Sequence, residues 1–171
     1  MKLRLLELEA ERRPGVNRAR VTFRNAGVGE SLSPGYPLEV EARPLHDQEK
    51  ALLDLLLSRD FAGRRELVAQ AETVLTAGSS CSCGCPSFSL VADRSLPPAA
   101  VSEAMVSDAH GSDPGGNKVG VLLFTEDGYL SEIEVFGWEG STFDGLPEPD
   151  SRKLSEWGEP NESGTRWLLN P

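Results

Sequence analysis

The stretch that decides the fold is VGVLLFTEDGYLSEIEVFGW, residues 119–138. Two apolar runs, 119–125 and 130–138, flank the turn sequence Glu126-Asp127-Gly128-Tyr129. Asp-Gly between two apolar runs is typical of a two-residue β-hairpin turn, because a type I′ turn needs positive φ at both central residues. The sequence therefore predicts an antiparallel pair of strands here.

The first 44 residues show the period-two alternation of half-buried strands. The alternation is strict in 18–24 and in 38–43, and it is less regular in 3–10. Apolar residues at every second position are typical of strands with one buried face. Pro14-Gly15 and Pro34-Gly35 are turn sequences between these runs,. Residues 1–44 are therefore predicted to form a three-stranded β-meander.

Charge predicts the strand order within this meander. The second strand places Arg18, Arg20 and Arg24 outward, and the outward faces of its neighbours carry four glutamates: Glu7, Glu9, Glu39 and Glu41. Opposite charges on adjacent strands stabilise a sheet by about 0.2–1 kcal/mol per pair. We expect strand order 1-2-3, with the arginines facing solvent beside glutamates. A basic stripe for nucleic acid is the alternative interpretation, which the glutamates disfavour.

A helical pair is predicted next. The first helix carries an apolar stripe at helical spacing and follows Pro44, with Asp47 as the expected N-cap; its stripe is Leu45, Leu52, Leu53, Leu56 and Leu57,. Residues 60–63 interrupt the pattern, and a second helix is expected from about 64 to 75, with Gly78 as its stop,. A leucine stripe of this length is typical of a core, although a partner-binding face is the alternative.

The remainder of the chain returns to strands. Besides the hairpin, residues 86–92 and 100–107 are candidate strands, and the Gly-, Asp- and Pro-rich segment 107–118 is expected to be a loop,. The overall prediction is an α+β fold with antiparallel β-meanders and a two-helix unit packed on the sheet. Within one compact domain we expect a meander at 1–44, an α+β core at 45–153, and an irregular tail at 154–171 anchored by Trp157 and Trp167.

The chain of 171 residues has a formal net charge of −10, which is unevenly distributed. Residues 1–44 carry eight basic and six acidic groups, whereas residues 80–171 carry five basic and fifteen acidic groups. An acidic surface repels nucleic-acid phosphates, so nucleic acid is not the expected partner. The acids either bind another protein or only keep the chain soluble. Charges are spread through the apolar residues of the N-terminus and no later stretch approaches 18 uncharged apolar residues, so we expect no membrane span,.

Three cysteines lie together in Cys81-Ser-Cys83-Gly-Cys85-Pro86. Their clustering is unlike a secreted disulfide framework and favours the cytoplasm. In an extended strand they would span about 13 Å, too far for one metal ion. Three interpretations remain: a metal site, a reactive or disulfide-forming thiol pair, or a small-residue turn packed under the sheet.

We expect no metal held by all three cysteines and no cofactor, because Gly84 frees the backbone for only one of the two reversals needed. Zinc is the alternative, with Cys81, Cys83 and Cys85 as candidate ligands,. His110, in the glycine-flanked segment, is then the expected additional ligand, ahead of His46 at a helix start.

The segment 81–86, the hairpin residues 123–135 and Leu146-Pro-Glu-Pro149 together resemble a family of small, uncharacterised, largely actinobacterial proteins. The resemblance covers roughly residues 45–150. It implies the strand–turn–strand structure and a bacterial cytoplasmic setting. It implies no activity and no catalytic residue.

Enzyme signatures such as a phosphate-binding P-loop, a Gly-x-Ser-x-Gly elbow and a His-x-x-x-His helix do not occur in the sequence,. Glu132 and Glu134 share one strand face, where paired carboxylates either do acid–base work, bind a hard cation or are simply solvated. The favoured hypothesis is a non-catalytic binding or regulatory protein that uses an acidic C-terminal sheet face. The alternative is a metal- or redox-linked protein acting through the cysteine cluster.

Overall fold

A computed structural model describes residues 3–13, 16–25, 38–79, 84–137 and 143–148. These residues form eight strands and two helices, which confirms the predicted α+β class. The elements are β1 Leu3–Arg13, β2 Val16–Asn25, β3 Leu38–Pro44, α1 Asp47–Leu57, α2 Arg64–Ala71, β4 Leu75–Ser79, β5 Phe88–Val91, β6 Met105–Ser112, β7 Lys118–Glu126 and β8 Tyr129–Gly137.

The strands form one antiparallel sheet in the order β1-β2-β3-β4-β5-β8-β7-β6. Strand β3 joins the N-terminal meander to the rest, because its residues 38–42 pair with β2 and its residues 43–44 pair with β4. The helices pack on one face of the sheet, α1 against β6 and α2 against β8. The core lies between them and centres on the buried side chains of Leu52, Leu56, Leu67, Val121, Leu123 and Ile133.

The N-terminal meander has the predicted strand order, with β2 between β1 and β3. Arg20 is opposite Glu9 on one side and Glu41 on the other, as the charge pattern predicts. The register shifts between Leu5 and Glu7, and this irregularity explains why the alternation in 3–10 is imperfect,. The side chains of these strands, including those of Arg18 and Arg24, lie outside the described part, so their exposure to solvent remains a prediction.

The predicted β7–β8 hairpin is confirmed. Glu126 pairs with Tyr129 across a two-residue turn, in which Asp127 has φ +54° and Gly128 has φ +81°. Both central residues therefore have the positive φ that a type I′ turn requires. One register shift occurs between Phe124 and Thr125, beyond which β7 and β8 pair continuously to Val119 and Gly137.

The predicted end of the second helix is wrong. Helix α2 ends at Ala71, and Leu75 begins strand β4, which sequence periodicity missed. Leu75 pairs with both Pro44 and Val91, so this short apolar segment fills a gap between β3 and β5. Gly78 adopts φ +84° at an irregularity of β4 and does not end a helix. Short apolar runs are compatible with both helices and strands. Here the segment forms a strand because β3 and β5 provide backbone hydrogen-bonding partners,.

The boundaries of β6 are also shifted from the prediction. The strand occupies 105–112 rather than 100–107, so most of the predicted loop at 107–118 is strand. The true turn contains only residues 113–117 and is closed by a hydrogen bond from the Asp113 N–H to the Asn117 carbonyl at 3.0 Å. The segment contains Gly and Ser residues and has low intrinsic strand propensity. It forms a strand because pairing with β7 supplies its backbone hydrogen bonds.

The N-cap of helix α1 is His46, one residue before the predicted Asp47, which is the first residue of the helix. Glu49 accepts a hydrogen bond from the His46 N–H at 2.8 Å and binds Arg43 through both oxygens at 2.7 and 2.8 Å. Burial alone would raise the pKa of Glu49, but Arg43 and the His46 N–H lower it more, so it lies below the ordinary 4.5. Glu49 raises the pKa of Arg43 in turn. This ion pair fastens α1 to β3.

Glu49→Gln is expected to lower the free energy of unfolding at pH 7 by about 1–2 kcal/mol, because Arg43 is partly exposed and solvent weakens its attraction to Glu49,. The lowered pKa means that the ion pair stabilises the fold above the ordinary carboxyl pKa and loses this effect as pH falls below about 4.5,. Urea unfolding at a series of pH values should therefore show wild type and variant converging in acid.

Asp54→Asn is the matched control, since Asp54 forms an ion pair with Lys50 that is more than half exposed. It should change stability by less than about 0.5 kcal/mol. Equal effects of the two substitutions would show that the Arg43–Glu49 pair does not hold α1 in place.

Candidate functional site

The two faces of the β6–β7–β8 region are distinguished by their contacts with the helices. The Ser107 hydroxyl donates a hydrogen bond to the Leu56 carbonyl of α1 at 2.9 Å, and Ser107 is paired with Leu123. Side chains in phase with these two residues therefore face the helices. The residues out of phase form the opposite face, here named the acidic face, and Met105 joins them because the register shift between Met105 and Ser107 places it opposite Phe124. The acidic face consists of Met105, Asp108, His110, Gly120, Leu122, Phe124, Glu132, Glu134 and Phe136.

The centre of the acidic face is an apolar stripe along β7, formed by Leu122 and Phe124, both half-buried. Glu134 is the partner of Leu122 on β8, and Glu132 is the partner of Phe124. On the other side of the stripe, Asp108 of β6 is opposite Leu122. Carboxylates thus flank the apolar stripe on both sides.

Glu132 and Glu134 are half-exposed. Within the described residues the ion pairs are Arg43–Glu49, Lys50–Asp54 and Arg65–Glu66, none of which includes these two carboxylates. Charges beside apolar groups are weakly screened by solvent compared with charges that project freely into water. The pair Glu132 and Glu134 therefore adds a negative field along one border of the stripe, and no ion pair among the described residues compensates it.

Phe136 closes one end of the stripe. A Cβ atom added to Gly120 would lie 2.3 Å from Cζ of Phe136, so the aromatic ring rests directly on the glycine backbone. Gly120 is paired with Phe136 on one side and with His110 on the other. The absence of a side chain at Gly120 is what allows the tip of the ring to contact the backbone of β7,.

His110 was predicted to lie in a movable loop, and this prediction is wrong. It belongs to strand β6 and is only 1% exposed. Burial lowers the pKa of His110, the positive charges of Arg59 and Lys118 lower it further, and Asp108 opposes them. The loop mobility that favoured His110 over His46 as an additional zinc ligand does not exist.

Because the folded state prefers neutral His110, wild-type stability should fall as pH falls below about 6.5, where the unfolded chain binds the proton more readily,. His110→Gln should flatten the dependence of the unfolding free energy on pH between about pH 5 and 7. Chemical denaturation across this range measures the slope. An unchanged slope in the variant would show that another group is responsible.

Cys85 is half-buried, and its Sγ lies 3.2 Å from the hydroxyl of Ser87. The buried Ser87 hydroxyl also accepts a hydrogen bond from the Val135 N–H at 2.8 Å and donates one to the Val135 carbonyl at 3.2 Å. Ser87 thereby continues the β5–β8 pairing with a side chain. Nothing in the sequence indicated this role.

Cys81 and Cys83 lie outside the described residues, so the metal, thiol-pair and packed-turn interpretations of the cluster remain predictions. The described residues contain no group of three or more His, Cys, Asp or Glu side chains able to hold a metal ion. Elemental analysis together with a thiol count on the purified protein distinguishes these three interpretations. A stoichiometric zinc signal that is lost in Cys83→Ser would establish the metal site.

No protein-family model, curated protein or solved structure matches this chain. In the part of the chain that the structure describes, neither helix has the length and apolar character needed to cross a bilayer.

Proposed function

We propose that this chain is a non-catalytic binding protein and that its acidic face receives a protein partner. The observation that supports this most directly is the stripe of Leu122 and Phe124 with Glu132 and Glu134 along its border. Apolar groups surrounded by charges are typical of interaction surfaces, in which the apolar centre supplies affinity and the charged border selects the partner.

The charge distribution indicates what kind of partner this is. Residues 80–171 carry fifteen acidic and five basic groups, so their long-range field attracts a basic protein and repels nucleic acid,. The proposal includes a bacterial cytoplasmic setting, which the clustered cysteines and the family resemblance support. In this setting the protein acts as a regulatory or immunity-like module rather than as an enzyme.

The test compares proteins retained by the immobilised wild-type chain and by the double variant Glu132→Lys/Glu134→Lys. Glu72→Lys/Glu103→Lys is the matched control, because both glutamates are exposed, neither belongs to the acidic face, and the change in net charge is identical. We expect specific proteins to be retained by wild type and control but lost from the acidic-face variant.

Quantitative mass spectrometry of lysate from the source bacterium measures the retained fractions. Circular dichroism and melting of all three chains show that each is folded. Retention that is the same in both double variants, or lost equally in both, would contradict a role for the acidic face.

A further inference from the structure

Residues 143–148, which follow β8 in the chain and are here named the strap, lie against one end of the core. The Asp144 N–H donates a hydrogen bond to Oδ2 of Asp113 at 2.8 Å, and Asp113 is the first residue of the turn between β6 and β7. The Gln48 side-chain amide, in the first turn of α1, donates to the Leu146 carbonyl at 3.1 Å. The three residues from one contact to the other span at most about 10 Å. The strap therefore joins the start of α1 to the β6–β7 turn over a short distance.

The apolar side chains of the strap pack inward. Phe143 and Leu146 are half-buried and contact the hydrophobic core, and Pro147 is buried. Asp144, between the two half-buried residues, is exposed. The strap thus has an apolar side against the core and a polar side in solvent. Burial of apolar surface therefore holds it closed, together with the hydrogen bonds to Asp113 and Gln48,.

The turn itself holds the Asp113 carboxylate in place. Oδ1 of Asp113 accepts a hydrogen bond from the Asn117 N–H at 2.8 Å, and Oδ2 accepts one from the Asn117 side-chain amide at 2.9 Å. The Asn117 side chain lowers the pKa of Asp113 most, burial opposes it, and the N–H groups of Asp144, Asn117 and Gly115 add to the lowering, so the pKa lies below the ordinary 3.8. An ionised acceptor in a fixed position forms a stronger hydrogen bond with the strap than a neutral one would.

The strap lies outside the hydrogen-bonded ladders of the fold. None of its residues belongs to a helix or a strand, and its hydrogen bonds to Asp113 and Gln48 both involve side chains. Strand β7, by contrast, pairs with β6 on one side and with β8 on the other. A segment held by side-chain contacts opens at a lower free energy than a strand in the middle of a sheet. Opening of the strap is therefore expected before unfolding of the sheet.

We propose that the strap is a conformational device that opens as one unit while the helices and the sheet stay folded, and that Asp113 and Gln48 hold it closed. In the open state Phe143, Leu146 and Pro147 reach solvent together with the core surface beneath them. The chain thereby gains an apolar surface that is present only in the open state. A strap of this kind can act whether or not the acidic face binds a partner.

Chymotrypsin cleavage of the bond between Phe143 and Asp144 measures how often the strap opens. A protease needs an extended segment, and when opening and closing are fast the cleavage rate follows the population of the open state. Mass spectrometry of the full-length chain during digestion follows the fragment that ends at Phe143. The synthetic peptide 139–150 gives the cleavage rate of a segment that is always open. Its cleavage in urea corrects for the effect of urea on the enzyme.

We expect the bond to be cleaved more slowly in the folded chain than in the peptide. The corrected rate should change little at urea concentrations below the global transition, because local opening exposes little surface. Gln48→Ala should raise the rate about two- to fivefold, the effect of losing one exposed hydrogen bond. Because the lost contact is at Leu146, an effect at the Phe143–Asp144 bond requires that the strap opens as one unit.

Asp113→Ala should raise the rate more than Gln48→Ala, because it removes a charged acceptor,. Asn117→Ala is the control for the turn, since it removes one hydrogen bond to Asp113 but leaves the contact with Asp144, and it should raise the rate less than Asp113→Ala. Asp54→Asn, elsewhere on α1, should leave the rate unchanged. Circular dichroism shows whether each variant is folded. If Asp113→Ala does not fold, Gln48→Ala decides by itself.

Cleavage as fast as in the peptide would show that the strap is not closed. No cleavage below the global transition, or a rate that rises steeply with urea in parallel with global unfolding, would show that the strap has no opening of its own. An unchanged rate in Gln48→Ala, or equal rates in Asp113→Ala and Asn117→Ala, would show that these contacts do not hold the strap closed as one unit. Each of these results overturns the proposal.

Discussion

Gly128→Ala is expected to lower the free energy of unfolding by about 3–5 kcal/mol, enough to unfold much of a marginally stable domain. Gly128 has φ +81°, where an L-residue carries an intrinsic cost of about 1–2 kcal/mol,. A Cβ atom there would also lie 2.6 Å from the Ala99 carbonyl oxygen and 3.0 Å from its nitrogen. Because these are backbone atoms, no side-chain rotation relieves the overlap.

The close approach exists because the segment after β5 wraps around the hairpin turn. The Ala99 N–H donates to the Gly128 carbonyl at 2.7 Å, and the Thr125 N–H donates to the Ala104 carbonyl at 2.7 Å. The Tyr129 hydroxyl donates to the Leu96 carbonyl at 3.0 Å. Moving the turn outward to accommodate a methyl group would weaken all three contacts.

Gly116→Ala is the control, because Gly116 has φ +82° but, among the described residues beyond its chain neighbours, no atom would lie within 4 Å of its added Cβ. This variant carries only the conformational cost, about 1–2 kcal/mol. Urea denaturation of the two variants isolates the contribution of the wrapped segment as their difference. Equal destabilisation would show that the segment moves away without cost.

Gln70→Leu is expected to be the second most damaging change, lowering stability by about 2–4 kcal/mol. Gln70 is fully buried in α2, and its amide nitrogen donates to the carbonyls of Pro97 and Gly128, both at 3.1 Å. Its amide oxygen accepts from the Leu130 N–H at 3.0 Å. Leucine keeps the volume but leaves the buried N–H of Leu130 without its acceptor.

Gln48→Leu is the matched substitution at an exposed site. Gln48 of α1 makes a single hydrogen bond, to the Leu146 carbonyl at 3.1 Å, and water can replace it. The change should cost no more than about 0.5–1 kcal/mol. Melting temperatures and hydrogen exchange of the Leu130 amide measure both effects. A Gln70 variant as stable as the Gln48 variant would contradict the role of Gln70 in fixing the hairpin to the helix.

The acidic face was only partly predictable. Alternation along 130–138 placed Glu132 and Glu134 on one side, but it did not show that Leu122 and Phe124 lie between them and Asp108. That arrangement depends on the register of β6 against β7, which shifts between Met105 and Ser107. The sequence does not locate this shift, because its pattern predicts a strand at 100–107, five residues before the strand that forms,.

The sequence by itself determined what short-range chemistry can specify. Asp127-Gly128 set the hairpin, because few other residue pairs tolerate positive φ at both positions. Alternation of apolar and charged residues predicted strands β2 and β3, and the matching charges predicted their order. The leucine stripe predicted helix α1.

Only the tertiary structure decided the features whose free energy depends on distant partners. Leu75 became a strand because β3 and β5 offered it hydrogen-bonding partners, and His110 became a buried strand residue because β7 paired with its polar segment. Gln70 and Ser87 bind backbone groups that are distant in sequence. The sequence around each residue does not predict such contacts, because a buried hydrogen bond is favourable only once folding has brought both groups together and excluded water.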